Sequence, residues 1–480
     1  MILKGYLFSF LYVALCLLLA VLAYKLGSPK KYTRKIVHIL VGFEWVVLYH
    51  FLGTAIHTIV ICGIFTLLLL LSFAKKLLPI MSSDGDNDPG TVYYGISMTL
   101  MALVSFFAPE FMYPFGIGVF CTSIGDGFAG VIGAASGAAN VKIFKNKTLI
   151  GTMAAFLFSS AAIAVFSVIF SLKINILYVA SIALLATGVE LISVRGLDNI
   201  TIPLSTSILS FLLLNYPQFV LPYLIPIILT PFVIAVALSK NILTARGVAV
   251  AFAMDIIVSW AFGNFGFVLL LAFLLLSVAL DKLVKHFKKS VDEITEKTGK
   301  RDEIQVLANG LIPIVVAVLY LFTGMEVFIV AYSASLAEAF SDTTASSFGL
   351  FSHRTYDIFR MRTIPKGMSG GVSLFGTLAS FVAAFLFPLI SVAFGVIDFS
   401  TLLLVGLCAF SGCVFDSILG SLLQAKYKCR VCGKITEKTE HCGEKNEICS
   451  GIRFINNDFV NFYSSLFATV LSILLYFIIS

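Results

Sequence analysis

Two short motifs in this sequence place an aspartate, a glycine and a helix start in the same order. Asp126 is followed seven residues later by Gly133, and Asp342 is followed seven residues later by Gly349. Each motif then leads to a polar residue, two apolar residues and Gly-Thr, a pattern typical of the first turn of a helix. A carboxylate can bind a metal ion, and a helix N-terminus beside it can bind a phosphate. The repetition predicts two sites of one chemistry.

Other polar residues extend both motifs. Lys147 directly precedes the first helix start, where backbone N–H groups already favour phosphate, and Gly370 and Gly371 lie close to the second. Glu190 and Asp416 each interrupt an apolar run, and charge at lipid depth usually marks function. A structural hydrogen bond between helices is the alternative for these two acids. The Walker A phosphate-binding motif does not occur in the sequence, so a different phosphate site is required.

The composition places these motifs in a membrane. Hydrophobic residues make up 59% of the chain, charged residues 12%, and the mean hydropathy is +1.00. Soluble domains carry about twice that share of charge. Sixteen apolar runs are long enough, or nearly so, to cross a hydrocarbon layer of about 30 Å. The sequence therefore predicts an all-α integral membrane protein of about sixteen transmembrane helices.

The basic residues indicate the orientation of these helices. All but two of the 33 lysines and arginines fall in alternate connections, and the two exceptions are Lys4 and Lys173. The positive-inside rule then predicts that both termini lie outside, in a prokaryotic inner or plasma membrane, and that the sites face the cytosol. The net charge of +7 reflects this topology and attraction to lipid headgroups, not nucleic-acid binding.

The same count predicts two domains. Sixteen helices divide into two parallel repeats of eight, with one Asp motif at the end of the fifth helix in each repeat. The predicted domains are residues 1–216 and 217–480, the second of which contains a Cys-rich cytosolic loop at 426–456. A parallel repeat is also compatible with a lipid transporter, but the matched polar residues collect at one face and not at the midplane.

Both halves resemble known enzyme families. The first half is similar to the dolichol kinase/phytol kinase family through Arg34-Lys35-x-x-His38, Gly125-Asp126-Gly127, Lys147-Thr148-x-x-Gly151 and Glu190 with Asp198-Asn199. The second half resembles the family that includes plant phytyl-phosphate kinase through Lys300-Arg301-x-x-x-Gln305, Asn309, Ser341-Asp342-Thr343, Gly370-Gly371-x-Ser373-x-x-Gly376 and Asp416.

The resemblance implies a bifunctional lipid kinase that uses CTP with Mg²⁺. Residues 1–216 would convert an isoprenoid alcohol to its monophosphate, and residues 217–480 would convert the monophosphate to the diphosphate. The implied catalytic residues are Asp126, Lys147, Glu190, Asp342 and Asp416. The implied nucleotide-binding residues are Arg34, Lys35, His38, Gly125, Gly127, Thr148, Gly151, Asp198, Asn199, Lys300, Arg301, Gln305, Asn309, Thr343, Gly370, Gly371, Ser373 and Gly376. A diacylglycerol kinase or a phosphatidate cytidylyltransferase is the alternative within the enzymes.

Five residues of the cytosolic loop are candidate metal ligands. They are Cys429, Cys432, His441, Cys442 and Cys449. In a reducing compartment such spacing favours Zn²⁺ over a disulfide, and a structural site over a catalytic one.

Overall fold

Helices form wherever the sequence has a long apolar run. In a computed structural model, which describes residues 2–75, 89–136, 141–284 and 299–479, the chain divides into unit 1 (Met1–Ser239) and unit 2 (Lys240–Ser480). Each unit is built of helices with short strands only in its connections. The prediction of an all-α integral membrane protein is confirmed.

Unit 1 contains twelve helices among its described residues. They are α1 (Ile2–Lys25), α2 (Lys30–Val41), α3 (Glu44–Phe51), α4 (Ile56–Lys75), α5 (Gly90–Phe107), α6 (Met112–Phe120), α7 (Gly127–Ala135), α8 (Leu149–Ile169), α9 (Ile176–Ile192), α10 (Asp198–Asn215), α11 (Pro217–Val220) and α12 (Leu224–Ser239). Strands β1 (Lys142–Phe144) and β2 (Lys147–Thr148) form an antiparallel hairpin directly before α8.

Unit 2 contains seven helices among its described residues. They are α13 (Ala245–Leu283), α14 (Glu303–Thr323), α15 (Val327–Gly349), α16 (Leu374–Leu386), α17 (Leu389–Ala393), α18 (Phe399–Leu422) and α19 (Asn457–Ile479). Its strands are β3 (Thr355–Asp357), β4 (Thr363–Ile364), β5 (Gly371–Val372), β6 (Lys426–Lys428), β7 (Ile435–Thr436), β8 (Glu440–His441), β9 (Glu444–Lys445) and β10 (Glu447–Ser450). The three sheets have the orders β4-β3-β5, β10-β6-β7 and β8-β9.

Eleven helical segments of the described residues are long and apolar enough to cross a membrane. Several of the sixteen predicted spans have a different form. One predicted span, 36–51, is interrupted after Val41. Two others, 245–262 and 265–284, are the two arms of α13, which bends at Gly263. Helix α9 is 17 residues long, shorter than a typical span. The count of sixteen and the two eight-helix repeats therefore stay predictions.

Aromatic side chains fill the core of unit 1. Trp45 is fully buried, and its ring centroid lies 5.1 Å from that of Phe166 and 6.3 Å from that of Phe120. Aromatic pairs in such arrangements add to the stabilisation that burial of their area provides. This cluster joins α3, α6 and α8 and fixes the helices that carry the first motif.

Small and branched side chains dominate the core of unit 2. Leu269, Leu336 and Val405 are fully buried where α13, α15 and α18 pack. Tyr332 is also fully buried, and its hydroxyl donates a hydrogen bond to the carbonyl oxygen of Gly266 at 2.7 Å. A satisfied hydroxyl lets this large ring lie among apolar neighbours at no desolvation cost. The packing fixes α15, which carries the second motif.

The segment 217–239, which the sequence analysis groups with the second half, packs within unit 1. Ala235 of α12 is buried against Leu191 of α9 and Phe144 of β1. Gly188 of α9 faces Pro231 and Phe232 with no room for a larger side chain. The structural division of the chain therefore lies at 239/240, after α12 and not before it.

Candidate active sites in the two units

Asp126 lies in the interior of unit 1 at a local distortion of the helix. Residues Cys121–Asp126 form a π-helical turn between α6 and α7, and such turns occur often at functional sites. The carboxylate is almost fully buried. Its Oδ2 accepts a hydrogen bond from Nζ of Lys35 at 2.7 Å, and Nε2 of His38 lies 3.4 Å from the same atom. His38 also donates to the carbonyl oxygen of Thr122 at 3.0 Å, which fixes its ring.

Lys147 forms a second ion-pair cluster in unit 1. Its Nζ pairs with Oε1 of buried Glu190 and lies 3.7 Å from Oδ2 of Asp198. Burial opposes the charge on this lysine, but Glu190, Asp126 and Asp198 together raise its pKa above the usual range. The ammonium group is therefore held charged, as a phosphate ligand must be. Asn199 supports Asp198 by donating to its Oδ1 from the side-chain amide at 3.0 Å.

The helix start of α8 is held against the end of α7 by two glycines. Thr148 caps α8, because its Oγ1 accepts a hydrogen bond from the backbone N–H of Gly151 at 3.3 Å. A Cβ atom on Gly151 would lie 3.4 Å from Cα of Gly133 and 3.2 Å from the carbonyl oxygen of Ala129. This close approach explains why the motif has a glycine seven residues after Asp126.

The helix start of α16 in unit 2 has the same local arrangement. Oγ of Ser373 accepts from the N–H of Gly376 at 3.3 Å. A Cβ atom on Gly376 would lie 3.3 Å from Cα of Gly349 and 2.9 Å from the carbonyl oxygen of Ala345. In each unit, the capped end of one helix thus lies about two turns from the aspartate of its neighbour. The two motifs specify the same helix contact.

Asp342 is half-buried and lies in a group of three carboxylates in unit 2, of which Glu338 is fully buried. Glu338 lies one turn before Asp342 on α15, and Asp416 on α18 is close enough to interact with both electrostatically. Oδ2 of Asp416 accepts a hydrogen bond from Oγ of Ser464 on α19 at 3.2 Å. Among the described residues, no lysine, arginine or histidine forms an ion pair with any of the three acids. Oε1 of Glu338 is buried and has no hydrogen-bond partner there.

Gly370 and Gly371 lie against the same helix as Asp416. Gly370 has a φ of +78°, and its backbone packs onto Gly420 and Ser421, so a side chain at this position would clash. Gly420 follows Asp416 by four residues and shares its face of α18. The turn is held by Asp357, whose Oδ1 accepts from Oγ of Ser421 at 2.7 Å.

The remaining candidates of unit 2 have local partners. Arg301 pairs with Asp281 at 3.1 Å, and Gln305 forms a capping box with Asp302 at the start of α14. Asn309 donates to the carbonyl oxygen of Gln305, and Thr343 to that of Ala339. Lys300 is exposed. A nucleotide-binding role for these five residues stays a prediction, as it does for Arg34, Gly125 and Gly127.

Four of the five candidate metal ligands converge. The ligand atoms of Cys429, Cys432, His441 and Cys442 all lie within 4.8 Å of one another. Cys449 is engaged elsewhere, since its Sγ lies 3.3 Å from the carbonyl oxygen of Lys426.

Three residues of the second site were missed by the sequence analysis. They are Glu338, Asp357 and Glu437. Glu338 has a sequence signal, because it is an acid in an apolar run four residues before Asp342 and therefore on the same helix face. Asp357 and Glu437 lie in polar connections, where a carboxylate is ordinary.

The two sites fit Mg²⁺ in different ways. In unit 2, buried Glu338 with its unpartnered carboxylate oxygen and the half-buried Asp342 and Asp416 provide the oxygen ligands and negative charge that this ion requires. In unit 1, Lys35 and Lys147 already balance most of the charge of the three acids. A metal ion in that site would therefore need further negative charge, such as that of a bound phosphate.

Comparison with known proteins assigns the chain to a family. A family model described as "Integral membrane protein DUF92" matches residues 228–469. An uncharacterized membrane protein of Methanocaldococcus jannaschii is 34% identical over 202 residues, which are 40% of this chain and 80% of that protein. An uncharacterized membrane protein of Synechocystis is 29% identical over 213 residues, 43% of this chain and 82% of the relative.

A third relative has a named activity. The phytol kinase of Synechocystis is 31% identical over 188 residues, which are 38% of this chain and 80% of that enzyme. No solved structure matches the chain. The resemblance to phytol kinases is confirmed, and the chain belongs to the DUF92 family of integral membrane proteins.

Proposed function

We propose that this chain is a bifunctional lipid kinase. Unit 1 phosphorylates an isoprenoid alcohol of the phytyl or prenyl type, and unit 2 phosphorylates the resulting monophosphate to the diphosphate. The observation that carries this proposal is that each unit has its own buried carboxylate group beside a capped helix start. The phytol kinase relative supports the substrate class.

The residues of unit 1 match what phosphoryl transfer requires. This reaction needs the donor and acceptor to be positioned and the phosphate charge to be neutralised. Lys147 lies at the start of α8, so its ammonium group and the positive end of the helix dipole together attract a phosphate. Lys35 and His38 hold the Asp126 carboxylate in one orientation. Mg²⁺ bound with the nucleotide would neutralise further charge on the phosphates.

In each step the acceptor oxygen forms a bond to the terminal phosphorus of the nucleotide, and the bond from that phosphorus to the leaving nucleoside diphosphate breaks. The acceptor of unit 1 is a hydroxyl, which loses its proton. The acceptor of unit 2 is a phosphate oxygen, which is already anionic. Unit 2 has Val372 where unit 1 has Lys147, and offers the backbone of Gly370 and Gly371 in its place. We propose CTP as the donor for both steps.

We further propose that both sites face the cytosol. The support is the distribution of basic residues, since all but Lys4 and Lys173 lie in connections on one predicted side. The C-terminus would then lie outside. Alkaline phosphatase fused after Ser480 should be active, and green fluorescent protein fused there should be dark. The reverse result would contradict the orientation.

The central experiment separates the two steps. Purified protein receives labelled CTP or ATP with a panel of lipid alcohols and lipid monophosphates, and the products are resolved. Asp126→Asn should lose at least roughly a hundredfold in alcohol phosphorylation, because losing the charge stabilisation costs several kcal/mol of barrier. Its phosphorylation of a supplied monophosphate should be unchanged. Asp342→Asn should do the reverse, so that monophosphate accumulates.

Each variant has a matched control. Glu110→Gln and Glu326→Gln change exposed acids at the opposite ends of the helical segments that carry Asp126 and Asp342. Both controls should keep both activities. Equal loss of both steps in each aspartate variant would show one composite reaction and contradict the division. Transfer of CMP to phosphatidate, phosphorylation of diacylglycerol alone, or lipid transport without phosphorylation would refute the proposal.

A further inference from the structure

The connection between α18 and α19 folds into a small β-structure that the proposed kinase chemistry does not require. Strand β6 pairs with β7 on one side and β10 on the other, and β8 pairs with β9 in a separate hairpin. These strands contain two to four residues each, and most of their side chains are exposed. So little buried apolar area does not stabilise such a fold without a cross-link.

The first pair of candidate ligands lies in the turn between β6 and β7. The N–H of Gly433 donates to the carbonyl oxygen of Cys429 at 3.0 Å, and the N–H of Cys432 points at Sγ of Cys429 at 3.5 Å. An N–H aimed at sulfur favours the thiolate, which is the form of cysteine that binds a metal ion. The turn presents both sulfur atoms to one side.

The second pair lies at the tip of the other hairpin. His441 ends β8, and Cys442 and Gly443 form the two-residue turn, with φ angles of +53° and +81°. Two positive φ values are typical of a tight hairpin turn, which puts the imidazole and the thiol side by side. Nδ1 of His441 lies 3.2 Å from Sγ of Cys442 and 3.5 Å from Sγ of Cys432.

The four ligand atoms have the spacing of a tetrahedral metal site. Zn²⁺ bonds of about 2.3 Å to sulfur and about 2.0 Å to nitrogen place neighbouring ligand atoms roughly 3.5 Å apart. The four atoms here all lie within 4.8 Å of one another. Three thiols and one imidazole are a donor set that zinc prefers over Mg²⁺ or Ca²⁺.

A residue that contacts the second active site lies in the sequence between the candidate metal ligands. Glu437 lies between Cys432 and His441 in the sequence and is buried. Its Oε1 accepts a hydrogen bond from the backbone N–H of Ser369 at 2.7 Å. Ser369 directly precedes Gly370, so this bond fixes the glycine turn that packs onto the helix of Asp416.

We propose that Cys429, Cys432, His441 and Cys442 bind one Zn²⁺, and that this zinc positions the Gly370–Gly371 turn of unit 2 through Glu437. The ion is structural, because all four of its tetrahedral positions are filled by protein atoms. Glu437 is a positioning residue. The zinc site does not depend on the proposed kinase function, and only the effect of Glu437 on diphosphate formation rests on it.

The experiment measures zinc by elemental analysis in the purified full-length protein. We expect about one zinc per chain, loss of zinc in Cys432→Ser, and full zinc content in the matched control Cys449→Ser, whose thiol lies outside the cluster. Trypsin cleavage at Arg430 and Lys434 should become faster in Cys432→Ser and after treatment with a strong chelator, because the ordered turn is lost. Neither measurement requires kinase activity.

The link to the active site has its own variant. Glu437→Ala should keep its zinc but lose at least roughly tenfold in diphosphate formation, as is usual when a supporting hydrogen bond of a site is removed. Trypsin should also cleave Glu437→Ala faster at Arg362, in the same connection as the glycine turn. Alcohol phosphorylation should be unchanged in Glu437→Ala and in Cys432→Ser.

Each part of the proposal can be overturned separately. Native protein without zinc, or Cys432→Ser with undiminished zinc, overturns the metal site. Zinc loss without faster cleavage at Arg362 overturns the link through Glu437. If the native protein contains zinc and shows the expected cleavage but phosphorylates no lipid alcohol or monophosphate, the kinase function fails while the zinc site stands.

Discussion

Lys35 and Lys147 form ion pairs with different acids of the unit 1 site. Lys35 pairs with Asp126, and Lys147 pairs with Glu190 and approaches Asp198. Such buried pairs contribute little net stability, but removing one partner leaves a costly uncompensated charge. The pairing of Lys35 with Asp126 joins residues 91 positions apart. The sequence identified both residues as candidates, but their contact depends on tertiary packing and could not be derived from spacing.

Lys35→Met should therefore destabilise unit 1 more than the double variant Lys35→Met/Asp126→Asn does. The single change leaves the buried Asp126 carboxylate without its main partner, at a cost of about 3 kcal/mol, whereas the double change removes the charge as well. Thermal unfolding in detergent measures the difference. Lys173→Met, on the opposite predicted side, is the control. A double variant less stable than Lys35→Met would contradict this account.

Asp357 gives unit 2 a defined pH dependence. Burial alone would raise the pKa of its carboxyl, but hydrogen bonds from Ser421 and from the N–H groups of Arg360 and Phe359 lower it below the usual range. Its contribution to stability is therefore present above the pKa of the unfolded state, about 3.9, and is lost as the pH falls through the lower folded value.

We expect protection of the connection at 355–372 from proteolysis to be constant between pH 7 and about pH 5 and to fall below about pH 4. An acid-active protease such as pepsin measures it at low pH. Asp357→Asn should show weaker protection at pH 7 and a smaller change on acidification, because the titrating charge is absent. Equal pH profiles for the two proteins would refute this role of Asp357.

At the scale of elements, the spacing of the two motifs predicts where the helices of each site begin. The polar-apolar-apolar-Gly-Thr pattern predicted the starts of α8 and α16. The structure adds that the start of α8 packs against Gly133 and the start of α16 against Gly349. The π-helical turn at Cys121–Asp126 was not predicted, because no local residue type specifies it. The Cys-rich loop gave five candidate ligands, and only the hairpin register separates Cys449 from the other four.

Gly151→Ala should separate α7 from the start of α8. The added methyl group would lie 3.0 Å from Oγ1 of Thr148 and 3.2 Å from a carbonyl oxygen, and overpacking of this kind costs about 1–3 kcal/mol. Alcohol phosphorylation should fall, and thermal stability with it. The control is Gly63→Ala on α4, where a Cβ atom meets nothing within 4 Å and alanine favours the helix. Equal behaviour of the two variants would contradict the contact.

At the scale of the whole molecule, the sequence predicted two parts, but it placed the boundary before α11 and α12, whereas the observed division follows α12. A boundary at 216/217 is suggested by the turn Asn215-Tyr216-Pro217, yet α12 buries Ala235 against α9 and β1. Hydrophobic patterning cannot assign an apolar helix to one of two apolar neighbours. That choice depends on shape, here on Gly188 facing Pro231 and Phe232.

A truncated chain of residues 1–239 should therefore fold better than one of residues 1–216. The shorter chain exposes the face of α9 around Gly188 and Leu191, which α12 covers in the full chain. Yield of monodisperse protein in mild detergent and its thermal unfolding measure the difference. If the two truncated chains are equally stable, α12 contributes nothing to unit 1.

The uneven charge of the two sites has a consequence for the supply of product in the cell. The site of unit 1 contains two lysines, whereas Glu338, Asp342 and Asp416 in unit 2 have no ion-paired cation among the described residues. A monophosphate brings still more negative charge to unit 2, so we expect the second step to require a higher concentration of free magnesium than the first. Magnesium availability would then set the ratio of lipid monophosphate to diphosphate, and a titration of that ratio against free Mg²⁺ would show two different midpoints.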